Sequence, residues 1–255
     1  MKSIDLIKQG FVSVFSGEDC SVKHFGLFAI SGILALFTLN FQTLAEGMQT
    51  TQVIPNIGEI VLGILAMLIL SIYLCGYNFV FMHNVHHNDI LPNLDGKPFM
   101  AFLKALPLVI VWYIYFILVG VVCALSAALL KVFAIILMVL FIVFVVFCCP
   151  FVFIIFSKEF NSKGLFNPIF PTKFISAMGI IFALMLCFIV INIAIYIPIG
   201  IIGGIVGAVG GGVKLAAYIG GIIGGYAGVV TQLVSAYCLV QIYKERFEQR
   251  DVQGI

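Results

Sequence analysis

The chain reads as an all-α polytopic membrane protein with six transmembrane helices, and three observations carry that reading. Of its 255 residues, 63% are hydrophobic and only 9% are charged. Several uncharged runs exceed the ~18 residues that mark a membrane-spanning helix. Once the chain is cut at those runs, 11 of its 13 lysines and arginines fall on one side of the membrane.

A hydrocarbon core ~30 Å thick, crossed at 1.5 Å per residue, needs about 20 apolar residues per span. On that measure crossings are expected near 24–45, 58–82, 107–130, 132–156, 174–198 and 215–243, all within one integral membrane domain covering residues 1–255. Lys2, Lys8 and Lys23 precede the first span; Lys97 and Lys104 separate the second from the third; Lys158, Lys163 and Lys173 separate the fourth from the fifth; Lys244, Arg246 and Arg250 follow the sixth. The opposite side holds only Lys131 and Lys214, and the segment from Glu46 to Glu59 has no basic residue. Basic residues in short loops stay inside, so both termini are expected in the cytoplasm.

The N-terminal segment 1–17 comes first. Ile4, Ile7, Phe11, Val14 and Phe15 recur at helical spacing among Lys2, Asp5, Lys8, Gln9 and Ser13, the pattern of an amphipathic helix lying in the membrane interface. Asp5, Lys8 and Gln9 interrupt any signal-peptide core, so the first span is expected to remain as an anchor. Comparable short basic stretches precede the third span (Phe99, Phe102, Leu103 and Leu106 around Lys97 and Lys104) and the fifth (Ile169, Phe170, Phe174 and Ile175 around Lys173). The even-numbered crossings also end alike, as in Phe79, Val80 and Phe81, then Phe151, Val152 and Phe153. Together these suggest a threefold repeat of an amphipathic helix followed by a helix hairpin.

From Phe174 to Val213 there are 40 residues without a charge, enough for two crossings. Two would put Lys244, Arg246 and Arg250 outside, so one crossing ending near Pro198 is expected, with 199–213 as a glycine-rich connection. Gly203, Gly207, Gly211, Gly220, Gly224 and Gly228 recur four apart, spacing that lets helix backbones approach where lipid offers no hydrophobic drive. The alternative use of these glycines is a moving or discontinuous helix of the kind found in transporters.

Candidates for chemistry are few. His83, His86 and His87 share a helix face at metal-ligand spacing, with Asp89 nearby, but the only other histidine is His24. A metal-dependent membrane enzyme would rest on these three alone, and an interfacial, charge-bearing role suits them better. The glycines before Lys214 do not form a phosphate loop, since Leu215 stands where a hydroxyl residue is needed. Six of the seven cysteines fall within apolar spans, so neither a disulfide framework nor a zinc site is expected. Cys148 and Cys149, toward the cytoplasmic half of the fourth span, are the candidates for palmitoylation.

No charged residue sits near a span centre, which argues against proton coupling. The polar residues within the spans are neutral: Asn40, Gln42, Asn78, Ser126, Asn192, Thr231 and Gln232. Interhelical hydrogen bonding, worth roughly 0.6 to 2 kcal/mol each, is one use for them. A site for a neutral solute or lipid, built around Asn78, Asn192 and Gln232, is the other.

Gly76 and Tyr77, then Asn84 and Val85, then Leu91, Pro92, Asp95 and Gly96, followed by the Phe99 to Leu106 stretch, resemble an uncharacterised prokaryotic integral membrane family, domain of unknown function 4013. Gln241, Tyr243 and Glu245 fit the last helix of that family. His83, His86 and His87 depart from it where arginine or other polar residues are usual. The resemblance implies the inner membrane of a prokaryote and brings no activity, catalytic residue or cofactor.

The expected function is therefore non-enzymatic: organising membrane components, or binding lipid, a membrane-protein partner or a second copy of the chain. The alternative is a transporter or channel for a neutral or lipidic solute working through the glycine-rich fifth and sixth spans. A net charge of +2 is accounted for by topology, and no nucleic-acid partner is expected.

Overall fold

A computed structural model describes residues 3–17, 19–51, 57–87, 91–129, 135–136, 138–139, 152–161 and 170–245. Among them the secondary structure is helical throughout, with no strand. The helices are α1 (Ser3–Val14), α2 (Cys20–Thr51), α3 (Ile57–His87), α4 (Lys97–Leu129), α5 (described over 152–159), α6 (Phe170–Val206) and α7 (Gly212–Tyr243). A π-helical segment, Gly207–Gly211, joins α6 to α7. Each long helix is apolar nearly all round, which is the pattern of a segment whose outer face meets lipid instead of water.

Four of these helices are long and apolar enough to cross a membrane, over Cys20–Phe41, Ile60–His87, Gly179–Val209 and Lys214–Tyr243. At 1.5 Å per residue the 32 residues of α7 reach about 48 Å, well beyond the hydrocarbon thickness. Most of the expected fourth span, 132–156, lies outside the described residues.

Three boundaries differ from the sequence reading. The basic stretch from Lys97 is not a separate helix but the opening turns of α4, which runs through Pro107 to Leu129. Likewise Phe170 and Lys173 belong to the start of α6, so of the three expected amphipathic helices α1 alone stands apart. Pro107 stands between the first stretch and its span, yet the helix runs through it. A single internal proline costs one backbone bond, which a long packed helix absorbs. For the same reason α6 continues past Pro198 to Val206, and the glycine-rich connection shrinks to Gly207–Gly211.

The last helix organises the bundle: α7 packs against α1, α2, α3 and α6, while α3 packs chiefly on α4. It does so because glycines line two of its faces. A Cβ at Gly224 or Gly228 would lie 3.3 Å from Tyr196 of α6, and one at Gly225 would lie 3.3 Å from the Ser31 carbonyl of α2. Where side chains are this small, dispersion contacts between backbones replace the hydrophobic effect that lipid removes.

The first helix, α1, packs on the bundle. It buries Leu6, Ile7, Gly10 and Val14 against the bundle, with Val234 3.0 Å from where a Gly10 Cβ would stand. Phe11 is partly buried against the same core, while Ile4, Val12 and, just past the helix, Phe15 stay exposed.

The sharpest approach in the molecule joins α3 to α4. A Cβ on Gly76 would fall 1.9 Å from the Pro98 carbonyl oxygen, so only glycine fits. One residue on, the hydroxyl of the fully buried Tyr77 donates to the Pro92 carbonyl at 2.9 Å. The ammonium of buried Lys23 donates to the Leu91 carbonyl at 3.0 Å, and the Asp95 carboxylate accepts from the Lys97 N–H at 2.9 Å, opening α4. Gly76, Tyr77, Leu91, Pro92 and Asp95 thus form one joint between two helices.

Candidate functional site

On α3, residues 75, 78, 79 and 82 follow i, i+3, i+4, i+7 spacing; on α7, residues 232, 235, 236 and 239 repeat it. Each set is one face of its helix, and the two sets line a common cleft. Its remaining wall comes from Val109 of α4 and from Phe153 and Ile154 of α5, and it encloses about 270 Å³. Most of the lining is apolar, with Asn78, Gln232 and Ser235 as its polar members and no charged side chain.

Asn78 is the distinctive residue of the cleft. Its Oδ1 is buried and lacks a hydrogen-bond partner among the described residues. Leaving a buried acceptor unmet costs about 1–3 kcal/mol, which a ligand N–H or O–H would recover. Gln232, across the cleft, is exposed and offers both donor and acceptor. A volume just under the ~300 Å³ lower bound of drug-sized sites suits a small neutral molecule or the polar end of a larger one.

Asn192, the third residue of the expected site, is not there. Its Nδ2 donates to the Phe188 carbonyl one turn back at 2.8 Å, satisfying its own helix. Thr231 does the same with Ala227, and Asn40 accepts from the Tyr218 hydroxyl across the α2–α7 seam. The side chains of Gln42 and Ser126 lie outside the described residues.

The histidines serve helix ends. A carbonyl accepts only, so the 2.9 and 3.0 Å contacts of His83 Nδ1 with the Ser157 and Lys158 carbonyls put a proton on Nδ1. His87 Nε2 donates to the same Lys158 carbonyl at 3.3 Å. Both rings thereby cap the last carbonyls of α5, groups that no helix can satisfy for itself. His86 turns elsewhere, its ring 5.7 Å from that of Tyr243 on the α7 side. A metal needs nitrogen lone pairs converging on one point, and among the described residues no three His, Cys, Asp or Glu side chains do so. Asp89 lies outside the described residues.

The same use recurs at this end of the bundle. His24 Nε2 donates to the Val14 carbonyl at 2.9 Å, closing α1, while its Nδ1 accepts from the Tyr226 hydroxyl at 2.8 Å. Lys244 donates to the Val85 carbonyl near the end of α3. Cys238 offers its thiol to the Leu6 carbonyl at 3.6 Å; Cys20, Cys75 and Cys187 are also free, and Cys123, Cys148 and Cys149 have side chains outside the described residues.

Of the predicted packing glycines, Gly203 and Gly207 face Ala216, Gly220 faces Ile199, and Gly224 and Gly228 face Tyr196. Gly211 closes the π-helical tip. Gly221 and Gly225, another pair four apart, make a second glycine face where they meet Leu39 and Ser31 of α2, while sequence reading missed Ser235 in the cleft. The 78/82 and 232/235/239 spacing was the signal available for the latter.

Comparison with protein-family models, with curated proteins and with solved structures finds no match to this chain.

Proposed function

We propose that the chain is a non-enzymatic membrane protein of six crossings whose cleft between α3 and α7 receives an uncharged amphiphile, the polar end of a neutral lipid or a small neutral solute. The observation that carries this is the partnerless Asn78 Oδ1 beside Gln232 and Ser235 in an otherwise apolar, uncharged cleft. In this reading α4, uncharged from Ala105 to Leu129, and the segment 132–156 supply the crossings beyond the four apolar helices. The end bearing Lys23, Lys104, Lys158 and Lys244 faces the cytoplasm of a prokaryotic cell, both termini with it. Membrane lipid is then the first partner, with a membrane protein or a second copy of the chain as further partners. The likeness to domain of unknown function 4013 belongs to the same reading and rests on the α3–α4 joint residues.

Transport of the same neutral solute is the rival. What favours it is the π-helical turn Gly207–Gly211 at the α6–α7 tip, a local departure from regular helix of the kind that recurs at functional sites.

Native mass spectrometry of protein extracted in its own lipids tests the proposal. A neutral lipid or solute that travels with the wild type and is lost from N78L and Q232L supports it. Retention unchanged in both variants sinks it, and a stoichiometric second protein with an empty cleft turns the reading toward an organising role.

A further inference from the structure

A second cavity, sharing no lining residue with the α3–α7 cleft, opens where α3 ends and α4 begins and encloses about 700 Å³. Its walls carry Lys97 and Lys104 from α4, His83 from α3 and Phe160 beyond α5, with Asp95 at the rim. Positions 97 and 104 are seven apart, so the two ammonium groups rise from one helix face.

Their surroundings differ. Lys97 meets Asp95 at 3.6 Å, an exposed pair of the kind that contributes little and that another anion displaces. Lys104 has no carboxylate within salt-bridge distance among the described residues; its ammonium sits over the Phe160 ring, 5.3 Å from the centroid. Phe160 adopts φ 49°, the left-handed region in which bulky residues are rare. The Asn161 N–H to Phe156 carbonyl bond, 3.3 Å, closes α5 around it, in a position that usually belongs to glycine. This strained residue is held by its ring contacts, His83 at 4.9 Å and Phe156 at 6.0 Å, and it fixes the aromatic floor beneath the Lys104 cation.

We infer that this cavity is an anion site for a phosphate group, held by Lys97 and Lys104 at the end of the bundle where the basic residues gather. The positive end of the α4 dipole adds to the same sign. Nδ1–H of His83 is committed to the Ser157 and Lys158 carbonyls, so Nε2 of the neutral ring is an acceptor, able to meet only a protonated oxygen of the phosphate. The phosphate is that of a phospholipid headgroup or a free phosphate ion, two sources with one chemistry.

The full chain, purified in neutral detergent, is presented with phosphatidylglycerol, with phosphatidylcholine and with inorganic phosphate, and bound species are read by native mass spectrometry. The wild type is expected to retain phosphatidylglycerol over phosphatidylcholine, and K97Q/K104Q to lose that preference by about tenfold or more, since each near-surface lysine contributes about one tenfold step or slightly less. M100W, which fills the cavity and keeps both charges, is expected to lose it as well. K8Q, on α1, is expected to keep it. Inorganic phosphate that binds and competes identifies the free ion as the ligand; phosphate without effect identifies the headgroup. Equal retention of the two lipids with no phosphate binding overturns the site, as does a preference that survives in K97Q/K104Q. Retention of neutral lipid in the α3–α7 cleft is read in the same spectra and answers separately to N78L.

Discussion

Replacing Gly76 with alanine sets two opposed effects against each other. Alanine favours the helix by about 0.8–1.0 kcal/mol over glycine at an interior position. Against that, the new Cβ would stand 1.9 Å from the Pro98 carbonyl oxygen and 2.6 Å from its carbonyl carbon, both backbone atoms that cannot rotate away. The start of α4 must therefore retreat by roughly 1 Å, a strain of the overpacking kind that costs about 1–3 kcal/mol. The same movement pulls on the Tyr77 bond to Pro92 and on the contact of Tyr73 with Phe99, rings 5.2 Å apart, which adds about 1 kcal/mol. The strain wins, and G76A is expected to lose about 1–3 kcal/mol net. Two controls separate clash from generic glycine loss. At Gly63 the nearest atom is Phe37 Cδ1 at 3.8 Å, so G63A is expected to be neutral or slightly stabilising. At Gly26 the nearest atom is as close as at Gly76, 2.0 Å, but it is Cδ1 of Leu94, which can change rotamer, so G26A is expected to cost less than G76A. Thermal unfolding of the three variants in one detergent, followed by size-exclusion of the heated samples, measures the order. A midpoint for G76A at or above the wild type would refute the reasoning.

Two further outcomes follow from the joints already described. H24F removes the donor to Val14 and the acceptor of the Tyr226 hydroxyl, and should loosen α1 from the bundle; faster hydrogen exchange across 3–14, with α7 little changed, is the expected readout, and unchanged protection there would show that Gly10 and Leu6 packing suffices. A cysteine at Thr51 is expected to react with an impermeant thiol reagent from outside the cell and one at Asn161 to stay protected, above the wild-type background; the reverse pattern overturns the orientation.

The long apolar helices were legible because a hydrophobic run of that length has few other uses, and α7 begins within three residues of its expected start. Helix joins were not, since continuity through Pro107 and Pro198 is decided by what packs around a missing backbone bond, and no local residue reports that. Half of the cleft was visible: Asn78 and Gln232 are costly in lipid unless something receives them. Asn192 looked the same, yet it resolves its carboxamide on its own helix, a choice set by side-chain rotamer. The histidines advertised a metal or an interfacial charge through their spacing. Their partners are carbonyls of Ser157 and Lys158, some 75 residues away in the chain, and no spacing rule reaches that far.

The central place of α7 has a consequence for biogenesis. The chain leaves the ribosome from its N-terminus, so α1, α2 and α3 are in place before α7 exists. Until it arrives Gly10 has no Val234 against it, His24 lacks Tyr226, and the Val85 carbonyl waits for Lys244. The early helices are inserted, then, but the bundle is unsealed, with polar groups and close-packing faces open to whatever membrane protein drifts by. Arrival of α7 is the step that joins the earlier helices into one packed unit.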